Sequence, residues 1–220
     1  DLVFKTTFGV DHQSLEESLY DNKEFGAGGG QWNGVLYVAQ GQVLQATSSN
    51  QLMYKRHFGS HHLEALLGFE SQQSKMKSIN NSGYDILDSE LLSSSSIGTL
   101  WSWNGKSEDY SLLSYFSRLN YDLKDTYFLS ASLRKDGSSR FGANSRWGTF
   151  WSLSAGWVLS EEAFFAESPF SFLKLRASYG TNGNLPSEYY ASLAFFSTAG
   201  KAYAAQSGLS YGQLANPDLS

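Results

Sequence analysis

The stretch YFSRLNYDLKDTYFLSASLRKDGSSRFGANSRWGTFWSLSAGWVLSEEAFF (residues 115–165) decides the reading of this chain. Polar and apolar residues alternate along it, the mark of strands whose two faces meet different surroundings. From 126 to 136, Tyr127, Leu129, Ala131 and Leu133 fall on one face; Phe128, Ser130, Ser132, Arg134 and Asp136 fall on the other. From 148 to 159, Trp151, Leu153, Ala155, Trp157 and Leu159 oppose Ser152, Ser154 and Gly156. Upstream, Tyr115, Leu119 and Tyr121 oppose Arg118, Asn120 and Asp122; downstream, Leu175, Ala177 and Tyr179 oppose Lys174, Arg176 and Ser178. One face is thus apolar with aromatics towards its ends, and the other is small, polar or charged.

Working outward, the same pattern predicts seven strands, at 2–10, 51–58, 63–73, 113–122, 126–136, 148–159 and 173–181. Each has roughly nine to twelve residues. An ordinary globular strand has about five or six, whereas a tilted membrane-crossing strand needs about nine to eleven. The connections supply a second signal. Short or moderate ones at 59–62, 123–125 and 160–172 fall on one edge. Long ones at 11–50, at 74–112, after Asp136 and after Thr181 fall on the other. Short turns on one edge and long loops on the other mark an outer-membrane barrel, whose apolar face meets lipid and whose polar face lines a wet interior. No helical crossovers separate the strands, so a parallel sheet is not expected. The one helix-like stretch is 160–167, with Ser160 as an N-cap and Glu161 and Glu162 in its first turn. The expected fold is all-β: an antiparallel up-and-down meander of about seven strands, forming a partial transmembrane β-barrel with long loops on one edge.

Composition excludes several functions. A formal charge of −5 without a basic block argues against nucleic acid. There is no Cys, and no apolar run approaches the ~18 residues of a membrane helix. His57, His61 and His62 flank a predicted tight turn and read as a solvated turn; no metal site and no cofactor is expected. GAGGG at 26–30 lacks the strand-then-helix setting of a phosphate cradle and reads as a flexible loop. No G-x-S-x-G elbow occurs, and Glu161 and Glu162 are adjacent and diverge, so no enzyme is expected.

Several runs match a known pattern. YFSRLNY at 115–121, LSASLRKDGSSRFG at 129–142, RWGTF at 146–150, Gly156-Trp157, SEE at 160–162, LKLRASYG at 173–180, NPDL at 216–219 and FKTTFGV at 4–10 together resemble the SusC/RagA family of TonB-dependent outer-membrane transporters. The resemblance implies that 1–220 is part of a plugged barrel of about 22 strands. It implies import of oligosaccharides or peptides across the outer membrane of a Bacteroidota-like bacterium. The implied partners are a SusD-like surface lipoprotein, outer-membrane lipid, and TonB acting through an N-terminal plug region. The stretch carries no plug domain, no signal peptide and no C-terminal strand ending in an aromatic, and is read as a piece of a longer protein. Alternative readings are a siderophore or cobalamin receptor, and a soluble all-β glycan-binding or adhesion module.

Candidate site residues fall into two sets. Trp101 and Trp103, placed in the loop before the fourth strand, and Arg140 in the DGSSRFG loop are expected to face substrate or a partner, because exposed aromatics stack on sugars or anchor proteins. Arg140 is also placed to pair with Asp136, and Gly142 to adopt an unusual backbone angle. Arg118, Asn120, Arg134 and Arg176 lie on polar strand faces and are expected to face the lumen or plug. Arg56 shares the apolar face of Leu52, Tyr54 and Phe58, near the short-turn edge, and is expected to snorkel.

Overall fold

The computed structural model describes residues 1–25, 30–165, 167–186, 188–197, 202–203 and 206–219; the glycine loop at 26–29 lies outside them. Seven strands form one antiparallel sheet in chain order: β1 (Leu2–Asp21), β2 (Val35–Phe58), β3 (His61–Ile86), β4 (Ile97–Leu123), β5 (Tyr127–Ser138), β6 (Trp147–Val158) and β7 (Lys174–Gly180). The meander is open, with β1 and β7 at its ends. Short strands follow: β8 (Phe195–Ser197) pairs with β11 (Ser210–Gln213), and β9 (Ala202–Tyr203) with β10 (Gln206–Ser207).

The chain is built as two compact units. One comprises Asp1–Phe8, Thr47–Gln72 and Tyr110–Ser220; the other comprises Gly9–Ala46 and Gln73–Asp109. In the first unit, the register carries the two-faced pattern across the sheet. Asn120 pairs with Ser130, Ser130 with Ser154, and Ser154 with Ser178. Leu119 pairs with Ala131, Ala131 with Leu153, and Leu153 with Tyr179. Even-numbered residues of β4 to β7 therefore share one face and odd-numbered residues the other. A one-residue slip would turn every side chain over.

The odd face is an exposed apolar lattice: Leu129, Leu133, Leu153 and Leu175 are 46%, 51%, 49% and 55% accessible. Water disfavours so large a contiguous apolar surface, and hydrocarbon accepts it. Aromatics border it at both ends. Tyr127 and Trp157 stack at 6.3 Å near the tight turns, and Tyr115 and Trp147 stack at 6.1 Å near the other end. Tyr127 and Lys135 are eight residues apart on β5, about 27 Å along the strand and about 20 Å after a barrel-like tilt, close to the ~25 Å apolar band of a membrane barrel. The even face is packed tightly enough that a Cβ at Gly68 would lie 2.2 Å from the Phe116 ring.

The second unit corrects the expectation of long loops at 11–50 and 74–112. β1 continues to Asp21 and β2 begins at Val35; β3 continues to Ile86 and β4 begins at Ile97. These segments are rich in Gln, Ser, Asn and Gly, which are poor strand formers. They are strands because neighbours complete their backbone ladder and a small core anchors them. Leu36, Val38 and Ile86 are buried, with Tyr20 and Ile97 packed against them. The connections left between these strands are moderate, at 22–34 and 87–96.

At 160–167 the expected helix is replaced by two 3₁₀ turns, Leu159–Glu161 and Ala163–Phe165. Val158 occupies the cap position of the first without a side-chain cap, and the Ser160 hydroxyl has no hydrogen-bond partner among the described residues. Pro169 and the return into β7 leave too little chain for an α-helix.

Candidate functional site

Two motifs far apart in sequence meet at the end of the β5–β6 hairpin. Gly142 N–H donates to the Leu219 carbonyl (3.0 Å) and Asn144 N–H to the Pro217 carbonyl (3.1 Å). The Asn144 side-chain amide donates to Asp218 Oδ1 (2.9 Å). A Cβ at Gly142 would lie 2.0 Å from the Pro217 carbonyl oxygen. Glycine is thus required there for close approach; the unusual backbone angle expected of it is absent, the positive-φ glycines among the described residues being Gly34 and Gly59. Ser192 Oγ donates to the Phe141 carbonyl (3.3 Å), and Gln213 Nε2 reaches the carbonyls of Ala191 (2.8 Å) and Leu193 (2.9 Å).

Arg140 does not pair with Asp136. Its guanidinium lies between the Tyr110 and Tyr189 rings, 4.0 and 4.4 Å from their centroids, and Nη1 donates to the Pro186 carbonyl (3.1 Å). Asp136 is instead taken by Arg134, whose Nε lies 2.7 and 2.8 Å from the two carboxylate oxygens. The two residues are i and i+2 on one strand, so period-two spacing already places them side by side. Arg134 Nη2 also donates to Ser114 Oγ (3.0 Å).

These contacts lay a strap over the even face. After β7 the chain passes Phe150 of β6 at Gly183, reaches Arg140 at Pro186 and meets Tyr110 of β4 at Tyr189. No local pattern announces a contact between Tyr110 and Tyr189, and sequence reading missed it.

The remaining candidates are dispersed. Arg118 faces Ser132 across the ladder, Asn120 faces Ser130, and Arg176 faces Gly156, all on the even face with Arg134. Ser132 and Ser152 hydroxyls meet at 2.7 Å beside them. Trp101 and Trp103 belong to the second unit and lie within β4, not in a loop. Trp101 meets Trp32 at 5.1 Å and Tyr84 at 5.3 Å; Trp103 is 79% accessible. Tyr84 was noted from sequence as a more distant aromatic of this set, whereas Trp32 was not singled out.

At the tight-turn end, His62 Nδ1 lies 3.9 Å from Asp122 and 3.8 Å from Asp125, and the exposed Asp125 leaves the group open to solvent. His61 Nδ1 bonds the Tyr121 hydroxyl (2.6 Å). Arg56 Nη1 donates to the Tyr54 hydroxyl (3.4 Å) on the exposed face. In the β6–β7 connection, Glu162 accepts from the Tyr127 hydroxyl and from Trp157 Nε1 (2.9 Å). These two donors, with the field of Lys124, hold its carboxyl below the usual carboxylate range.

The arrangement offers a wall with an apolar side, a polar side and a strap across the polar side. A family model described as TonB dependent receptor-like, beta-barrel, matches residues 4–220. TonB-dependent receptor P39 of Formosa agariphila is 31% identical over 99% of the chain, which covers 21% of that protein. TonB-dependent receptor SusC of Bacteroides thetaiotaomicron is 49% identical over 73 residues, 33% of the chain and 7% of that protein. The RagAB peptide importer in its open-open state superposes with a TM-score of 0.86 at 28% identity, over 100% of this chain and 24% of that one. The chain thus spans about a fifth to a quarter of the length of relatives that it matches end to end.

Proposed function

Because the chain belongs to the TonB-dependent receptor-like β-barrel family, we propose that it forms part of the wall of an outer-membrane transporter that imports oligosaccharides or peptides. The supporting observation is the two-faced register of β4 to β7, which gives an apolar lattice bordered by aromatics on one side and hydroxyls, guanidiniums and glycines on the other. In this reading the odd face meets outer-membrane lipid of a Gram-negative, Bacteroidota-like cell. Arg118, Asn120, Arg134 and Arg176 face the lumen and a plug supplied elsewhere in the full-length protein. TonB acts through that plug, and a SusD-like lipoprotein covers the outer opening. Trp101 and Trp103, with Trp32 and Tyr84, offer ring faces to cargo or to the lipoprotein, and Arg140, which fastens the strap, serves the same substrate- or partner-facing role in its own unit. The similarity to SusC, a TonB-dependent receptor, supports the transporter reading, and the similarity to the RagAB peptide importer supports peptides among its cargo classes. The wall acts by shape and surface and not by catalysis.

The test is uptake. Cells lacking the full-length gene are compared with complemented cells for energy-dependent entry of labelled oligosaccharides and oligopeptides. Restored entry of either class is the expected result; entry of neither, with the protein present in the outer membrane, contradicts the reading.

A further inference from the structure

Between the strap and the even face of β4 to β6 lies a cavity of about 410 Å³. This is within the ~300–1,000 Å³ range of ligand pockets, and at its small end. Its apolar lining includes Phe141, Phe150 and Leu185, and its polar lining is the Arg134–Asp136 pair with Ser114, Ser138, Ser145 and Asn184 around it. The pair is half-exposed, with side-chain accessibilities of 45% and 29%. Arg134 is fixed through Nε on Asp136 and through Nη2 on Ser114, while Nη1 makes no hydrogen bond among the described residues. The cavity therefore holds a rigid donor beside a rigid acceptor, both embedded in phenyl and leucyl surface.

Resting on the transporter reading, we propose that this cavity is a cargo subsite for one apolar residue of a peptide. The ion pair is neutral as a unit, so it selects a dipole and not a net charge. A peptide unit supplies that dipole: its carbonyl accepts from Arg134 Nη1 and its N–H donates to the Asp136 carboxylate. The adjoining apolar side chain lies among Phe141, Phe150 and Leu185. The strap is what makes the site concave, since Leu185 covers the open side.

The full-length protein in detergent is titrated with the blocked peptide Ac-Ala-Phe-Leu-Ala-NH2 and with maltoheptaose, alongside the variants Arg134→Gln and Leu185→Ser. Arg134→Gln removes a hydrogen bond to a charged group, and peptide affinity is expected to fall about tenfold. Leu185→Ser, which lies outside the sheet, is expected to weaken the peptide without touching any response to maltoheptaose. If Arg134→Gln fails to fold, loss of peptide affinity in Leu185→Ser alone still supports the subsite. Absence of peptide binding to the unaltered protein, as when a plug segment fills the cavity, overturns the proposal. Unchanged peptide affinity in the folded variants overturns it too. Cells that import a glycan while the protein ignores the peptide leave the transporter reading intact and remove only this subsite.

Discussion

The Arg140 guanidinium fills a slot between the Tyr110 and Tyr189 rings that only a flat cation fits, with its Nη1 spent on the Pro186 carbonyl. Its Nε is buried without a partner, a cost that the two ring faces offset. Lysine carries the charge but not the plane. Arg140→Leu is therefore expected to cost the strap about 1–3 kcal/mol of local stability, and Arg140→Lys to restore only part of it. Amide exchange in the full-length protein checks this: the Gly142 and Asn144 amides should exchange about tenfold faster or more in Arg140→Leu. Unaltered exchange would show that the strap holds without the stack. At this scale the sequence was legible where partners are local. Arg134 and Asp136 are two apart on a strand, whereas Tyr110, Arg140 and Tyr189 meet only through the path of the strap.

Among the elements, β5, β6 and β7 were readable almost to the residue because each alternates between apolar and polar over most of its length, with Phe128 and Phe150 as exceptions. The outer parts of β1 to β4 were not readable. Their order comes from ladder hydrogen bonds and from a core as small as Leu36, Val38 and Ile86, neither of which imposes a period on the side chains. The β6–β7 connection shows the converse error: an N-cap signal at Ser160 without the chain length for a helix. What that connection does instead is hold Glu162 against Tyr127 and Trp157. Its depressed carboxyl pKa fixes the sign of a pH effect. The contact stabilises fully above the ordinary carboxylate value of about 4.3. Its contribution is lost as pH falls through the lower folded-state value. Thermal unfolding of the full-length protein in detergent between about pH 6 and pH 3 should therefore show less acid sensitivity in Glu162→Gln than in the unaltered protein. Identical acid sensitivity would mean that the contact carries no proton-linked stability.

For the whole molecule, the sheet's two faces matter more than any single side chain. The register of β4 to β7 gathers the leucines, alanines, tyrosines and tryptophans of the quoted strands on one side and leaves Phe116, Phe128 and Phe150 among the polar residues of the other, with β1 and β7 at the ends of the sheet. The matched relatives are four to five times longer, and unpaired sheet edges are sites that proteins pair or cover. The face assignment was legible from sequence because period two is a local property. The strap and the cavity beneath it were not, because they arise only when Gly183, Pro186 and Tyr189 meet Phe150 of β6, Arg140 of the β5–β6 hairpin and Tyr110 of β4. These 220 residues contain no cysteine, so single cysteines placed in them, with any cysteine elsewhere in the full-length protein replaced by serine, can report the faces directly. Nitroxide labels placed one at a time at 128–133 in the full-length protein in lipid bilayers would be measured for collision with oxygen and with a water-soluble nickel complex. The account predicts alternation: high oxygen access at Leu129, Ala131 and Leu133, and low access at Phe128, Ser130 and Ser132, where the nickel complex or surrounding protein is met instead. Uniform access along the strand, or oxygen access greatest at the even positions, would contradict it.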